Sequence, residues 1–147
     1  MKSKPSFFVI LILLLSPFFG NVAFAQVQVR VRVMEASNVG SGIDSSLRDL
    51  HDQLGSLFSF SSYRLLKDES VSLSPNQSVS LSIPPERSLE LTLINQHRVA
   101  AEIRVKITRQ GRDLLTTLVR LAPGRSVSIG GPKRGEGTII IALSRLQ

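Results

Sequence analysis

The chain has 147 residues, no cysteine and no tryptophan, and a formal net charge of +7 from 18 basic and 11 acidic residues. The lack of cysteine excludes a disulfide framework, a thiolate metal site and a lipid carried on a cysteine, so the fold has to be held by its packed core alone. The basic balance permits binding to anionic polymers, but charge of this size speaks to solubility before it speaks to function.

The first 25 residues read as an export signal. Lys2 and Lys4 form a positive start, residues 7–15 are an unbroken apolar run, Pro17 and Gly20 interrupt it, and Ala23-Phe24-Ala25 has the small-x-small pattern that signal peptidase cuts. The apolar run falls short of the ~20 residues needed to span a bilayer. A signal peptide is therefore expected over 1–25, with cleavage before Gln26 and no transmembrane segment afterwards. The short start and the Ala-x-Ala site point to a bacterial chain exported to the periplasm or beyond. Both signal lysines are lost on cleavage and no acid is, which leaves 16 basic against 11 acidic residues and a net of +5.

Residues 26–147 are expected to form a single β-rich domain. It opens with Val27, Val29, Val31 and Val33 alternating with Gln28, Arg30 and Arg32, a strand with one dry and one basic face. Such a terminal strand either pairs within its own sheet or is donated to the edge of a neighbour. A Ser, Asn and Gly-rich loop follows over 37–42. Ile43, Leu47, Leu50, Leu54 and Leu57 then recur at helical spacing, which predicts one short amphipathic helix over about 45–56, near the N-terminus of the domain, packed on the sheet. Ser46 with Asp49 suggests a weak capping box, with Asp44 or Ser45 as the other candidate caps. Phe58, Phe60 and Tyr63 lie in a predicted strand over 58–66 and are expected to anchor the core rather than form an exposed aromatic platform.

Three segments starting at Ser70, Ser78 and Ser126 place serine on one face and aliphatic residues on the other, a pattern that suits edge or outward-facing strands. Pro75-Asn76 separates the first two, and Pro84-Pro85 ends the second. Leu89, Leu91 and Leu93 face inward from a strand over 88–95, and a loop over 95–100 carries His97 and Arg98. The strongest pattern is a hairpin over 101–121. Ile103, Val105 and Ile107 alternate with polar residues, Gly111 breaks the run, and Leu115, Thr117, Val119 and Leu121 return on one parity. A two-residue Gln110-Gly111 loop sets Arg109 against Arg112. A three-residue loop sets Arg109 against Asp113, Glu102 against Arg120 and Ile107 against Leu115, and is the expected register. Pro123-Gly124 turns the chain, 130–137 reads as a glycine-rich loop, and the last strand, 138–144, is apolar on both parities, which predicts a central position. The fold class is mainly β: a small antiparallel β-sandwich or open barrel, immunoglobulin-like in style.

Chemistry-bearing patterns are sparse. His51 and His97 have no third ligand at metal spacing, no Gly-x-Ser-x-Gly elbow occurs, and the 130–137 stretch lacks the Gly-Lys-Ser/Thr of a phosphate-binding loop. No metal, cofactor or catalytic residue is expected. The candidate partner- or anion-binding residues are Arg30, Arg32, Arg104, Lys106, Lys133 and Arg134, the last two as an anion-binding nest. The expected function is that of an exported, non-enzymatic envelope or secreted protein, a structural or accessory subunit working through protein–protein contacts, self-assembly included. The alternative is a binding module for an anionic polymer such as lipopolysaccharide or cell-wall polymer. Nucleic acid is a weaker partner, and a hydrolase a third reading. The export reading has a direct check: Ala25→Arg should block processing in a bacterial host, so that N-terminal sequencing no longer finds mature protein starting at Gln26.

Overall fold

The computed structural model of the protein describes residues 26–97 and 99–146. The expected signal peptide, its cleavage site and Arg98 lie outside the described residues. Among the described residues nine strands form two sheets. The first has the order β2-β3-β1-β9-β8 and the second the order β4-β5-β6-β7. The strands are β1 (Val27–Ser37), β2 (Gly42–Ile43), β3 (Ser62–Leu73), β4 (Ser78–Ile83), β5 (Arg87–Gln96), β6 (Ala101–Arg109), β7 (Arg112–Leu121), β8 (Ser126–Arg134) and β9 (Gly137–Arg145). All pair antiparallel except the short β2 beside β3. The second sheet is a run of sequential hairpins. The two sheets pack as a sandwich, with separate edges, and not as a barrel.

The period-2 pattern dictates the core. Val27, Val29, Val31 and Val33 of β1 and Ile139, Ile141 and Leu143 of β9 meet Leu89, Leu91, Leu93, Ile103, Val105 and Ile107 of the opposite sheet, all of them buried. β1 pairs with β3 and β9 of its own chain, so the strand that the sequence left free to be donated lies inside the sheet. The opposite face of the same two strands is also covered. Met34, Ala36, Ile140 and Ala142 pack under Leu47, Leu50 and Leu54 of the helical segment. Burying each of those leucines is worth roughly 1.5–3 kcal/mol. Coverage on both faces explains why β9 is apolar on both parities.

The helical segment lies between β2 and β3, and it is irregular. Its first six residues, Ser45–Leu50, form a 3-10 helix, and α1 (His51–Leu57) completes it. The cap is Asp44, whose carboxylate accepts from the Ser46 amide at 3.1 Å and the Ser46 hydroxyl at 2.7 Å. That hydroxyl bond and the amide bond hold the Asp44 carboxyl below its ordinary range. Asp49, which a capping box would have needed, points to the sheet instead. Leu57, the last residue of the stripe, remains exposed.

Three expectations are corrected. Residues 58–61 are not strand; β3 begins at Ser62 and runs unbroken into the Ser70 segment, because a bulge near Leu66 keeps it paired with the long β1. The 130–137 stretch is mostly strand: β8 continues to Arg134 through a bulge between Gly130 and Lys133, and the turn is only Gly135-Glu136. The hairpin between β6 and β7 keeps its expected body, with Glu102 opposite Arg120, Ile103 opposite Val119 and Ile107 opposite Leu115. Its loop, however, has two residues and leaves Arg109 opposite Arg112. Gln110 (φ 50°) and Gly111 (φ 77°) both adopt positive φ, the pattern of a type I′ turn whose twist matches the strands. A bulge at Leu114 restores the phase.

The serine-alternating segments sit where small polar faces are tolerated. β4 and β8 are sheet edges, and β3 beyond Tyr63 is paired on one side only. Because Val29 and Val31 are fully buried in the sandwich, Val29→Asp and Val31→Asp should each lower unfolding stability by at least ~3 kcal/mol in urea titrations.

Candidate functional site

The six basic residues singled out in the sequence are distributed over different faces. Arg30 and Arg32 project from the outward face of β1. Arg30 makes two bonds to Asp68 on β3, Nε to Oδ1 at 2.9 Å and Nη2 to Oδ2 at 2.7 Å. That pairing raises the Arg30 guanidinium above its ordinary value and holds the Asp68 carboxyl below its own. Arg32 is not a surface ligand at all: its side chain is 1% exposed. Its Nη1 and Nη2 grip Asp49 at 2.8 and 2.9 Å, Nη1 also reaches the Ser46 carbonyl and Nη2 the Ser144 hydroxyl, both at 3.4 Å. Its Nε is buried without a partner. Burial of a guanidinium is tolerated because a carboxylate and two further acceptors meet it in fork geometry. The hydrogen bonds from Arg32 hold the Asp49 carboxyl below its ordinary range.

Arg104 is exposed on the outward face of β6, opposite Leu118. Lys106 on the same face is 3.6 Å from Asp113. Lys133 is exposed, and Arg134 is ion-paired with Glu35, which also receives Arg64 at 3.4 Å.

One hollow among the described residues is lined by three arginines, two of which the sequence pattern did not single out. Arg87, Arg109 and Arg134, with Pro85, Glu86 and Gly135, line a cavity of about 190 Å³. Each arginine borders a turn: Pro84-Pro85-Glu86 between β4 and β5, Gln110-Gly111 between β6 and β7, and Gly135-Glu136 between β8 and β9. Arg87 and Arg109 are cross-strand partners. Arg87 Nη2 donates to the Lys133 carbonyl at 2.6 Å, whereas its Nη1 is buried with no hydrogen-bond partner. Burial first, then the charges of Arg109 and Arg134, hold the Arg87 guanidinium below its ordinary value. Arg109 shares one oxygen of Glu86, its Nε and Nη2 both at 3.3 Å. The signal that could have found these residues is the placement of each arginine against a turn.

The aromatic residues belong to the packing under the helix. Tyr63 is buried, its ring edge-on to Phe60 at 6.3 Å between centroids, and its hydroxyl donates to the Phe58 carbonyl at 3.3 Å. Phe58 and Phe60 are half-buried beside it. His51 stands 3.5 Å from Asp52 with both side chains exposed, and His97 stands 3.9 Å from Glu102. Among the described residues no group of three His, Cys, Asp or Glu could hold a metal ion, and no helix is long and apolar enough to cross a membrane. No protein-family model, no curated protein and no solved structure matches the chain.

The Arg32–Asp49 pair sets a stability prediction. Asp49 is 59% exposed, so water screens the pair, and Asp49→Asn should cost about 1–3 kcal/mol, less than a fully buried pair would. The folded carboxyls of Asp49 and Asp68 lie below an unfolded value of about 3.9. Their contribution is therefore complete above the unfolded value and is lost as pH falls through the folded one. Urea midpoints should drop between about pH 5 and pH 3, and Asp49→Asn should drop less than the parent over that interval.

Proposed function

We propose that the protein is an exported, non-enzymatic envelope or secreted protein that works through protein–protein contacts, and that it receives a strand of another polypeptide along β7. The observation that carries this reading is the difference between its sheet edges. β4 is short and serine-lined, and Lys67 donates to its Ser82 carbonyl at 2.7 Å. β8 is interrupted by its bulge and by Pro132. The free flank of β3 carries Lys67, Asp68 and Glu69. These are the devices by which sheets protect their edges. β7 has a bulge only at its start. From Leu115 to Arg120 it is paired with β6 alone and contains neither proline nor glycine, and at its end Arg145 Nη1 donates to the Leu121 carbonyl at 3.1 Å. Its outward face displays Leu118, 55% exposed, between Arg104 and Arg120. A free backbone ladder supplies affinity for an added strand, and an apolar spot with a basic rim supplies selectivity.

Export is the other half of the reading. It rests on the Lys2, Lys4 and Ala23-x-Ala25 pattern, and on β1 starting at Val27, one residue past the expected cut. The alternative of an anionic polymer as partner draws on Arg104, which forms no ion pair among the described residues.

The test uses the mature chain as bait in its own envelope fraction. Leu118→Lys and Thr116→Lys lie on the exposed face and should leave stability within about 0.5 kcal/mol of the parent. Both should abolish capture of the partner that the parent retains. Equal capture by parent and variants overturns the β7 assignment. A concentration-dependent dimer lost in the same variants would make the partner a second copy. Retention on heparin that falls with Arg104→Glu, without any captured protein, would favour the polymer.

A further inference from the structure

The cavity at the turn end of the sandwich is independent of the β7 surface and has its own chemistry. We propose that the pocket framed by Arg87, Arg109 and Arg134 binds a phosphate group, with Arg87 as its anchor and Glu86 as the internal competitor that the phosphate displaces. Three guanidinium groups (Arg87, Arg109 and Arg134) line the cavity against one carboxylate, Glu86. The surplus of two positive charges matches a dianion. Glu35 holds Arg64 and Arg134, and Glu86 holds Arg109, but no carboxylate holds Arg87. A buried guanidinium nitrogen without an acceptor is an uncompensated donor. The three arginines lining the cavity come from both sheets, Arg87 and Arg109 side by side on β5 and β6 and Arg134 on β8 of the other sheet. A carboxylate offers two coplanar oxygens, whereas a phosphate offers oxygens in a tetrahedron, which suits converging forks. The cavity, about 190 Å³, is below the ~300 Å³ at which sites for whole drug-sized ligands begin. It therefore takes a single headgroup and not a larger molecule.

Glu86 is the movable part. It sits in the exposed Pro84–Glu86 turn, its side chain is 48% exposed, and both of its bonds to Arg109 are 3.3 Å long. Swinging it outward removes the one negative charge lining the cavity. Arg87 Nη2 stays on the Lys133 carbonyl, so the anchor does not move.

Isothermal titration of the mature protein with inorganic phosphate at low ionic strength, chloride serving as the control anion, should give saturable binding. Glu86→Gln should tighten it several-fold, and a gain cannot come from misfolding. Arg109→Gln should weaken it about tenfold, roughly 1.4 kcal/mol. Arg87→Gln should remove it, and circular dichroism will report whether that variant has folded. Arg48→Gln, exposed on the 3-10 segment over the other sheet, should bind as the parent does. Lack of saturation by the parent, no gain with Glu86→Gln, or equal loss with Arg48→Gln overturns the proposal. Flotation with phosphatidylcholine vesicles, with and without phosphatidic acid, separates the sources of the group. Binding that needs phosphatidic acid and is competed by inorganic phosphate assigns a lipid headgroup; saturable phosphate binding without flotation assigns a free phosphate or a soluble phosphate ester. Vesicle binding indifferent to both phosphate and Arg87→Gln overturns the site.

Discussion

The pair between Arg32 and Asp49 is the constraint on which the layered arrangement depends. From Val31 to Met34 β1 is buried on both faces, and Arg32 is the one charge within that stretch. A charge there is tolerable only if a partner comes to it. Asp49 comes down from the 3-10 segment, and Ser46 and Ser144 add further acceptors. The helical cover is thereby fixed in register over β1 and β9. Leu47, Leu50 and Leu54 then fall on Met34, Ala36, Ile140 and Ala142. The apolar contacts supply the larger share of the energy, but slippery leucines do not choose a position along a sheet. The bidentate fork does.

With the helix committed to one outer face, the molecule has three kinds of surface left. The outward face of the second sheet is polar apart from Leu114 and Leu118. The lateral edges differ in how they are blocked, and β7 is the least blocked. The turn end concentrates guanidinium groups, because three hairpins each bring an arginine beside a turn. The β7 edge and the arginine-lined hollow are the two surfaces on which the proposed strand and phosphate contacts rest.

Patterns set by burial were readable in the sequence, and patterns set by geometry between distant segments were not. Val27 to Val33 and Leu89 to Leu93 announced their inward face by alternation, and Ile139 to Leu143 announced double coverage by the absence of alternation. Serine alternation announced β4 and β8 as edges. The glycines of 130–137 argued for a loop, because they weaken a strand by propensity; pairing with the central β9 overrides that preference. At Gly137 a side chain would meet the Ala36 carbonyl at 2.8 Å, so this glycine reports close backbone approach and not looseness. Arg32 looked like one of two equal basic residues on a wet face. Nothing in the local pattern says that a helix will cover it while Arg30 stays near the solvent. Arg87 and Arg109 were silent for a similar reason, since their partners come from other turns.

The hairpin between β6 and β7 joins the local and the global arguments. Charge pairing favoured a three-residue loop, because a two-residue loop sets Arg109 against Arg112. The two-residue turn forms nonetheless, with Gln110 and Gly111 at positive φ. Its twist suits the strands, and a like-charge contact at an exposed turn costs little in high dielectric. The bulge at Leu114 then recovers every inward pair further along, so Ile107 still meets Leu115 and Asp113 still reaches Lys106. The alternative would have given Arg109 to Asp113. As built, Arg109 turns to Glu86 and stands beside Arg87. The β5–β6 ladder sets Arg109 beside Arg87, and the two-residue turn leaves it to Glu86 rather than to Asp113, while the bulge at Leu114 preserves the buried register.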